Sequence, residues 1–158
     1  MAELTPGDLA PNFELPRDGG GTVSLKSFAG HPVVLYFYPK DNTTGCTAEA
    51  IDFTALAPEF EKKGAVVIGM SADPVKSHDK FITKHGLTVI LASDEDAKVM
   101  TEYGVWKEKS LYGRSFMGVV RTTFLIGPDG RIIRIWDKVK VKGHAQEVLD
   151  AVGALAGA

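Results

Sequence analysis

Val33 to Tyr38 reads Val-Val-Leu-Tyr-Phe-Tyr, a run with no charged or amide side chain in it. A strand with one wet face alternates apolar and polar residues, whereas an unbroken run belongs to a strand covered on both faces. Such a strand needs layers above and below it, and the rest of the chain offers them. Thr43 to Lys63 is helical in pattern and stops at Gly64, with a break or kink predicted at Pro58. Ala65 to Met70 reads as a second buried strand. Asp73 suits a cap and Pro74 the first position of a helix that runs to about His85, ended by Gly86. Val89 to Ala92 is a strand, and Ser93-Asp94 caps a helix from about Glu95 to Tyr103. Thr122–Ile126 and Arg131–Trp136 form a hairpin around Pro128-Asp129-Gly130. A shorter hairpin pairs Phe13-Glu14-Leu15 with Thr22-Val23-Ser24-Leu25 across Gly19-Gly20-Gly21. Gly143 to Ala156 is a terminal helix. Strands alternating with helices predict a layered α/β fold, and 158 residues suit a single domain over 1–158.

The chain has one cysteine, Cys46, just past the apolar strand and at the start of the first helix. The thiolate is the reactive form of cysteine, and a free thiol titrates near ~8.5. A helix N-terminus presents unpaired N–H groups and the positive end of its dipole, both of which favour an anion. The placement points to sulfur chemistry. Thr43 stands three residues before Cys46, where a dithiol oxidoreductase would carry the other cysteine of C-x-x-C. A lone cysteine forms no internal disulfide, which suits a reducing compartment and predicts the cytoplasm. The net charge of −2 supplies no basic field for nucleic acid. No stretch is long and apolar enough to span a membrane, and Met1 to Pro6 lacks the basic-then-apolar pattern of a secretory signal.

Pro39, Thr43 and Cys46 form P-x-x-x-T-x-x-C, which resembles the active-site signature of the peroxiredoxins, the thiol peroxidases that reduce hydroperoxides. The surrounding blocks are similar to one branch, the bacterioferritin-comigratory-protein or Q-type peroxiredoxins. They are Val34-Leu35-Tyr36-Phe37-Tyr38-Pro39-Lys40, Gly45-Cys46-Thr47-Ala48-Glu49-Ala50, Tyr103-Gly104-Val105-Trp106 and Arg121-Thr122-Thr123-Phe124-Leu125-Ile126. They occur in the family's order within a match from about Asp8 to Val152. The resemblance implies a thioredoxin-like fold with an N-terminal β-hairpin extension and a central mixed sheet flanked by helices. It implies reduction of hydrogen peroxide and organic hydroperoxides through a sulfenic acid at Cys46, with no cofactor, in a protein that is often a monomer.

The resemblance also distributes roles. Cys46 is the nucleophile. Thr43 accepts from a backbone N–H near Cys46 and donates to a bound peroxide oxygen. Pro39 fixes φ, brings no N–H and shields one side of the sulfur. Arg121 supplies a permanent cation near the sulfur, and Glu49 orients it. Phe37, Tyr38 and Trp106 line the pocket. Many relatives carry a second, resolving cysteine either five residues after the first, where this chain has Ile51, or on the helix that here spans roughly Val75 to His85, which has none. Cys46 sulfenic acid therefore requires an external thiol, with glutathione, glutaredoxin and thioredoxin as candidates. The alternative is a redox sensor that forms a mixed disulfide with a partner.

The remaining polar features read as ordinary. His31, His78, His85 and His144 are scattered, and none pairs with Cys46 at a metal-ligand spacing. His78 and His85, seven apart, read as a solvated helix face. Lys138, Lys140 and Lys142 alternate as a basic edge that protects a sheet from pairing.

Overall fold

The computed structural model describes residues 3–156. The apolar run becomes β3 (Val33–Phe37), buried at every position. It is the middle strand of five. β4 (Val66–Ser71) and β5 (Ile90–Ser93) continue the sheet on one side, both parallel. β8 (Thr122–Ile126) and β9 (Ile132–Trp136) continue it on the other, β8 antiparallel to β3 and β9 antiparallel to β8, giving the order β5-β4-β3-β8-β9. This is the predicted central mixed sheet.

Alternate residues of β3 enter different cores. Val33, Leu35 and Phe37 join Met70, Phe124, Met100 and Tyr103 on one face. Val34 and Tyr36 join Phe53, Phe60, Phe81 and Val148 on the other. The second face is covered by α1 (Thr44–Ala55), α2 (Ala57–Lys62), α3 (Val75–His85) and α5 (His144–Ala156). The predicted break near Pro58 falls at Leu56, where Pro58 enters the first turn of α2, a position that needs no N–H donor. The first face is covered by α4 (Lys98–Glu102) and by the N-terminal hairpin β1 (Glu14–Pro16) and β2 (Thr22–Ser24), which leads into a single 3₁₀ turn at Leu25–Phe28. The N-terminal segment also covers both sheet edges. Arg17 bridges Ala92 beside β5, and Leu9 bridges Arg131 beside β9.

Several expectations are corrected. Asp73 does not cap α3, whose N-cap is Pro74. Its carboxylate instead accepts from the Asp41 amide and the Ser71 hydroxyl. The helix expected from Glu95 begins only at Lys98, because Ala97 takes a left-handed φ of 59° and Asp94 reaches on to the Met100 amide. Lys138, Lys140 and Lys142 lie beyond β9 and form no edge. Lys138 adopts φ 47°, which breaks the strand, and Val139 N turns back to Arg121 O at 2.9 Å. His78 is wholly buried rather than solvated.

The sequence reading also passed over a hairpin, β6 (Trp106–Leu111) and β7 (Arg114–Val119). Its turn, Tyr112-Gly113, has positive φ at both positions, as a two-residue hairpin loop of this twist requires. It pairs with no strand of the central sheet, and most of its residues are exposed. It therefore carries little of the alternation that burial imprints on a strand.

Candidate active site

The chain leaves β3 through Tyr38 and turns at Pro39–Asn42 into α1. Thr43 is the N-cap in extended conformation, and its carbonyl accepts from Thr47 N at 2.9 Å. Cys46 thus stands in the first helical turn, where the amides lack intrahelical partners. Its residue is 1% exposed. Glu49 lies three positions on and therefore on the same helix face.

Arg121, immediately before β8, closes the site from across the sheet. Its Nη2 donates to Cys46 Sγ at 3.3 Å, and its Nη1 donates to Glu49 Oε1 at 2.6 Å. A residue 75 positions away in sequence is brought to the sulfur because β8 pairs with β3 antiparallel, Thr122 opposite Phe37. Burial works against the Arg121 cation, but the charges of Glu49 and Cys46 hold its pKa above the ordinary value. Burial lifts the Glu49 carboxyl to about 7, against the pull of Arg121. Glu49 Oε2 and Tyr36 Oη are both buried and have no hydrogen-bond partner among the described residues.

The other expected residues are distributed unevenly. Thr43 Oγ1 makes no cap bond and donates instead to Lys40 O at 2.9 Å, so the expected bond from an amide near Cys46 is absent. Pro39 lies exposed at the strand exit. Tyr38 shares the core of Cys46, but its hydroxyl turns away to Asp41 Oδ1 at 2.6 Å. Phe37 is on the opposite face, packed against Tyr103 and Phe124, because successive strand residues point to opposite sides. Trp106 packs on that same far face, beside a cleft of about 320 Å³ that it shares with Tyr103, Thr122 and Phe124.

Two features of the site went unread in the sequence. A Cβ on Gly45 would lie 3.1 Å from Arg121 Nη2, so the glycine leaves room for the guanidinium. Asp41 and His78 form a buried pair just ahead of Thr43, with His78 Nδ1 2.7 Å from Asp41 Oδ2. The signal for the second was the His78–Phe81 spacing, which puts the histidine on the buried stripe of α3. Among the described residues, no three His, Cys, Asp or Glu side chains gather as metal ligands, and no helix is long and apolar enough to cross a membrane.

Residues 6–135 match the AhpC/TSA family. The chain is 49% identical over 147 residues to Peroxiredoxin Bcp of Xanthomonas campestris pv. campestris, covering 92% of each chain. It is 50% identical over 152 residues to a putative peroxiredoxin of the same kind from Helicobacter pylori strain J99, covering 96% of this chain and all of that one. Among solved structures it resembles the bacterioferritin comigratory protein of Xanthomonas campestris, studied for its alkyl peroxide reduction activity. That match has TM-score 0.87, 48% identity and coverage of 91% and 92% of the two chains. It also resembles a cysteine-to-serine mutant of PrxQ from Xylella fastidiosa, with TM-score 0.93, 43% identity and 99% of both chains covered. The matched Xanthomonas structures include serine mutants at two different cysteines, where this chain has only Cys46. The chain belongs to the AhpC/TSA family, among its Bcp or Q-type peroxiredoxins, as a variant with one cysteine.

Proposed function

We propose that this chain is a thiol peroxidase in which Cys46 attacks the hydroperoxide. The observation that carries the assignment of the nucleophile is the 3.3 Å bond from Arg121 Nη2 to Cys46 Sγ. The sulfur anion attacks the terminal peroxide oxygen, an S–O bond forms as the O–O bond breaks, sulfur is oxidised and the peroxide reduced. The displaced oxygen takes up a proton and leaves as water or an alcohol, and Cys46 remains as sulfenic acid. Negative charge moves from sulfur to the leaving oxygen, and preorganised donors beside that path lower the barrier. Arg121 fills this role, with Glu49 Oε1 fixing the guanidinium plane. Thr43 has one hydroxyl proton, which is held by Lys40 O, so its lone pairs are the part offered to the O–H of the substrate. Pro39 closes the strand exit without adding a donor.

Hydrogen peroxide and organic hydroperoxides are the substrates in this reading. The alkyl peroxide reduction activity attributed to the Xanthomonas relative supports the second class. With a single cysteine, the sulfenic acid is reduced by an external thiol, for which we infer thioredoxin, glutaredoxin or glutathione. Cys46 is 1% exposed, so the sulfur must be uncovered before a protein thiol can reach it. We further infer one domain acting as a monomer in the cytoplasm. The mixed-disulfide sensor is not favoured over turnover. The test is stopped-flow oxidation of the reduced protein by hydrogen peroxide in single turnover. A rate orders of magnitude above that of a free thiol, abolished by Cys46→Ser, is expected. A rate equal to that of free cysteine would overturn the reading.

A further inference from the structure

Ahead of the reactive cysteine lies a polar cluster that the peroxide chemistry does not itself use. Asp41 is 6% exposed and His78 is 0% exposed. The Asp41 carboxylate accepts from Tyr38 Oη at 2.6 Å and Ser77 Oγ at 2.8 Å, and His78 Nδ1 lies 2.7 Å from its Oδ2. His78 Nε2 faces the Ala92 carbonyl at 3.0 Å. A neutral imidazole has one N–H and one lone pair; here Nε2 faces a carbonyl and Nδ1 a carboxylate oxygen, while Tyr38 Oη, 3.4 Å from Nδ1, gives its one proton to Asp41 Oδ1. The geometry therefore calls for an N–H on each, an imidazolium facing a carboxylate. Burial presses against that charge, yet the bond to Asp41 and the nearby Asp73 hold the His78 pKa above its ordinary value.

The cluster is tied to the site through the backbone. Asp41 N donates to Asp73 Oδ2 at 2.8 Å, and Asp73 also holds Ser71 of β4. Three elements, β4, α3 and β5, thereby grip one residue of the turn. The next residue, Asn42, sits at φ 63°, a left-handed conformation that costs energy for a residue with a side chain. Thr43 follows, its hydroxyl pinned to Lys40 on the other side of Asp41. The shape of this turn decides where Thr43 Oγ1 lies relative to the first turn of α1.

We propose that Asp41, clamped by a His78 imidazolium, is a positioning residue for the peroxidase reaction, fixing the Pro39–Thr43 turn that presents Thr43 beside Cys46. The proposal rests on the peroxidase reading. Neither residue touches the sulfur, so the loss is specific to reactions that need Thr43. A misplacement of about 1 Å at a substrate-positioning group costs up to roughly 10²-fold in rate.

Two measurements test it. The first is the ¹⁵N NMR spectrum of His78 in the wild-type protein at neutral pH, which should show both ring nitrogens protonated. A single protonated nitrogen overturns the clamp, whatever the activity. The second compares two reactions of Cys46, oxidation by hydrogen peroxide and alkylation by iodoacetamide, in Asp41→Asn, His78→Leu and His78→Asn. Asp41→Asn and His78→Leu should slow oxidation roughly ten- to a hundredfold while alkylation is unchanged or faster. His78→Asn, which keeps an N–H directed at Asp41, should recover most of the loss. Equal falls in both reactions, no recovery with asparagine, or no change in oxidation overturns the positioning role and leaves the peroxidase reading standing. Wild-type oxidation no faster than that of a free thiol removes the peroxidase reading, and this proposal with it.

Discussion

Arg121→Leu separates the chemistry of the site from its structure. Arg121 supplies a donor to Cys46 Sγ at 3.3 Å and, among the described residues, the only side-chain hydrogen bond to the buried Glu49 carboxylate, at 2.6 Å to Oε1. Removing one preorganised donor from developing charge costs ~10²–10³ in rate, and that loss is expected in single-turnover oxidation by peroxide. The structural loss has a different origin. Glu49 would keep no partner on either oxygen, and breaking a buried ion pair by deleting one member costs ~3–5 kcal/mol. Glu49 escapes part of this by binding a proton. Burial already lifts it from 4.5 to about 7, and Arg121 is the main pull in the other direction, so the variant moves higher still. A carboxyl raised on folding contributes its full stability below the unfolded value and loses it as pH rises through the folded one. Arg121→Leu should thus be close to wild type in urea unfolding near pH 4.5 and most destabilised above about 7. Adding Glu49→Gln removes the charge, so stability at high pH should return while the oxidation rate stays low. An Arg121→Leu protein that oxidises within about threefold of wild type, against the ~10² expected, refutes the donor argument. Recovery of oxidation in the double variant would show that Arg121 acts only by neutralising Glu49.

Gly45→Ala should leave helix stability unchanged or raise it by up to ~1 kcal/mol. It should nonetheless slow peroxide oxidation several-fold, because the new Cβ meets Arg121 Nη2 at 3.1 Å; paired chemical unfolding and stopped-flow data check both halves. Phe53→Ala empties a fully buried site that stacks on Tyr36 at 4.8 Å between ring centroids. It should cost ~3–5 kcal/mol in urea unfolding. His144 is buried, and desolvation lowers its pKa from 6.5 to about 4. Its contribution is present above the unfolded value and lost as pH falls from about 6.5 towards 4, so His144→Gln should flatten the acid limb of the stability profile.

The sequence by itself determined the frame and the place of the one cysteine in it. An uninterrupted run such as Val33–Tyr38 is typical of a strand covered on both faces, and its burial is complete. The strand exit followed by a helical pattern put Cys46 in a first turn, and Pro128-Asp129-Gly130 located the β8–β9 turn. These are local consequences of side-chain polarity and backbone restriction, which act over a few residues. Only the tertiary structure decided what surrounds the sulfur. The contact between Arg121 and Cys46 follows from the antiparallel pairing of β8 with β3, a matter of strand order that no local spacing encodes. Phe37 was lost to the far face because the parity of a strand is set by its partners' burial. His78 looked like a surface histidine until α3 packed over Tyr38 and Asp41, since a polar ring is buried only where hydrogen-bond partners already wait. Cysteine, threonine and proline came from neighbouring positions of one stretch; the groups in contact with that stretch came from Asp73 just beyond β4, from α3 and from Arg121 just before β8, gathered by the folding of the sheet.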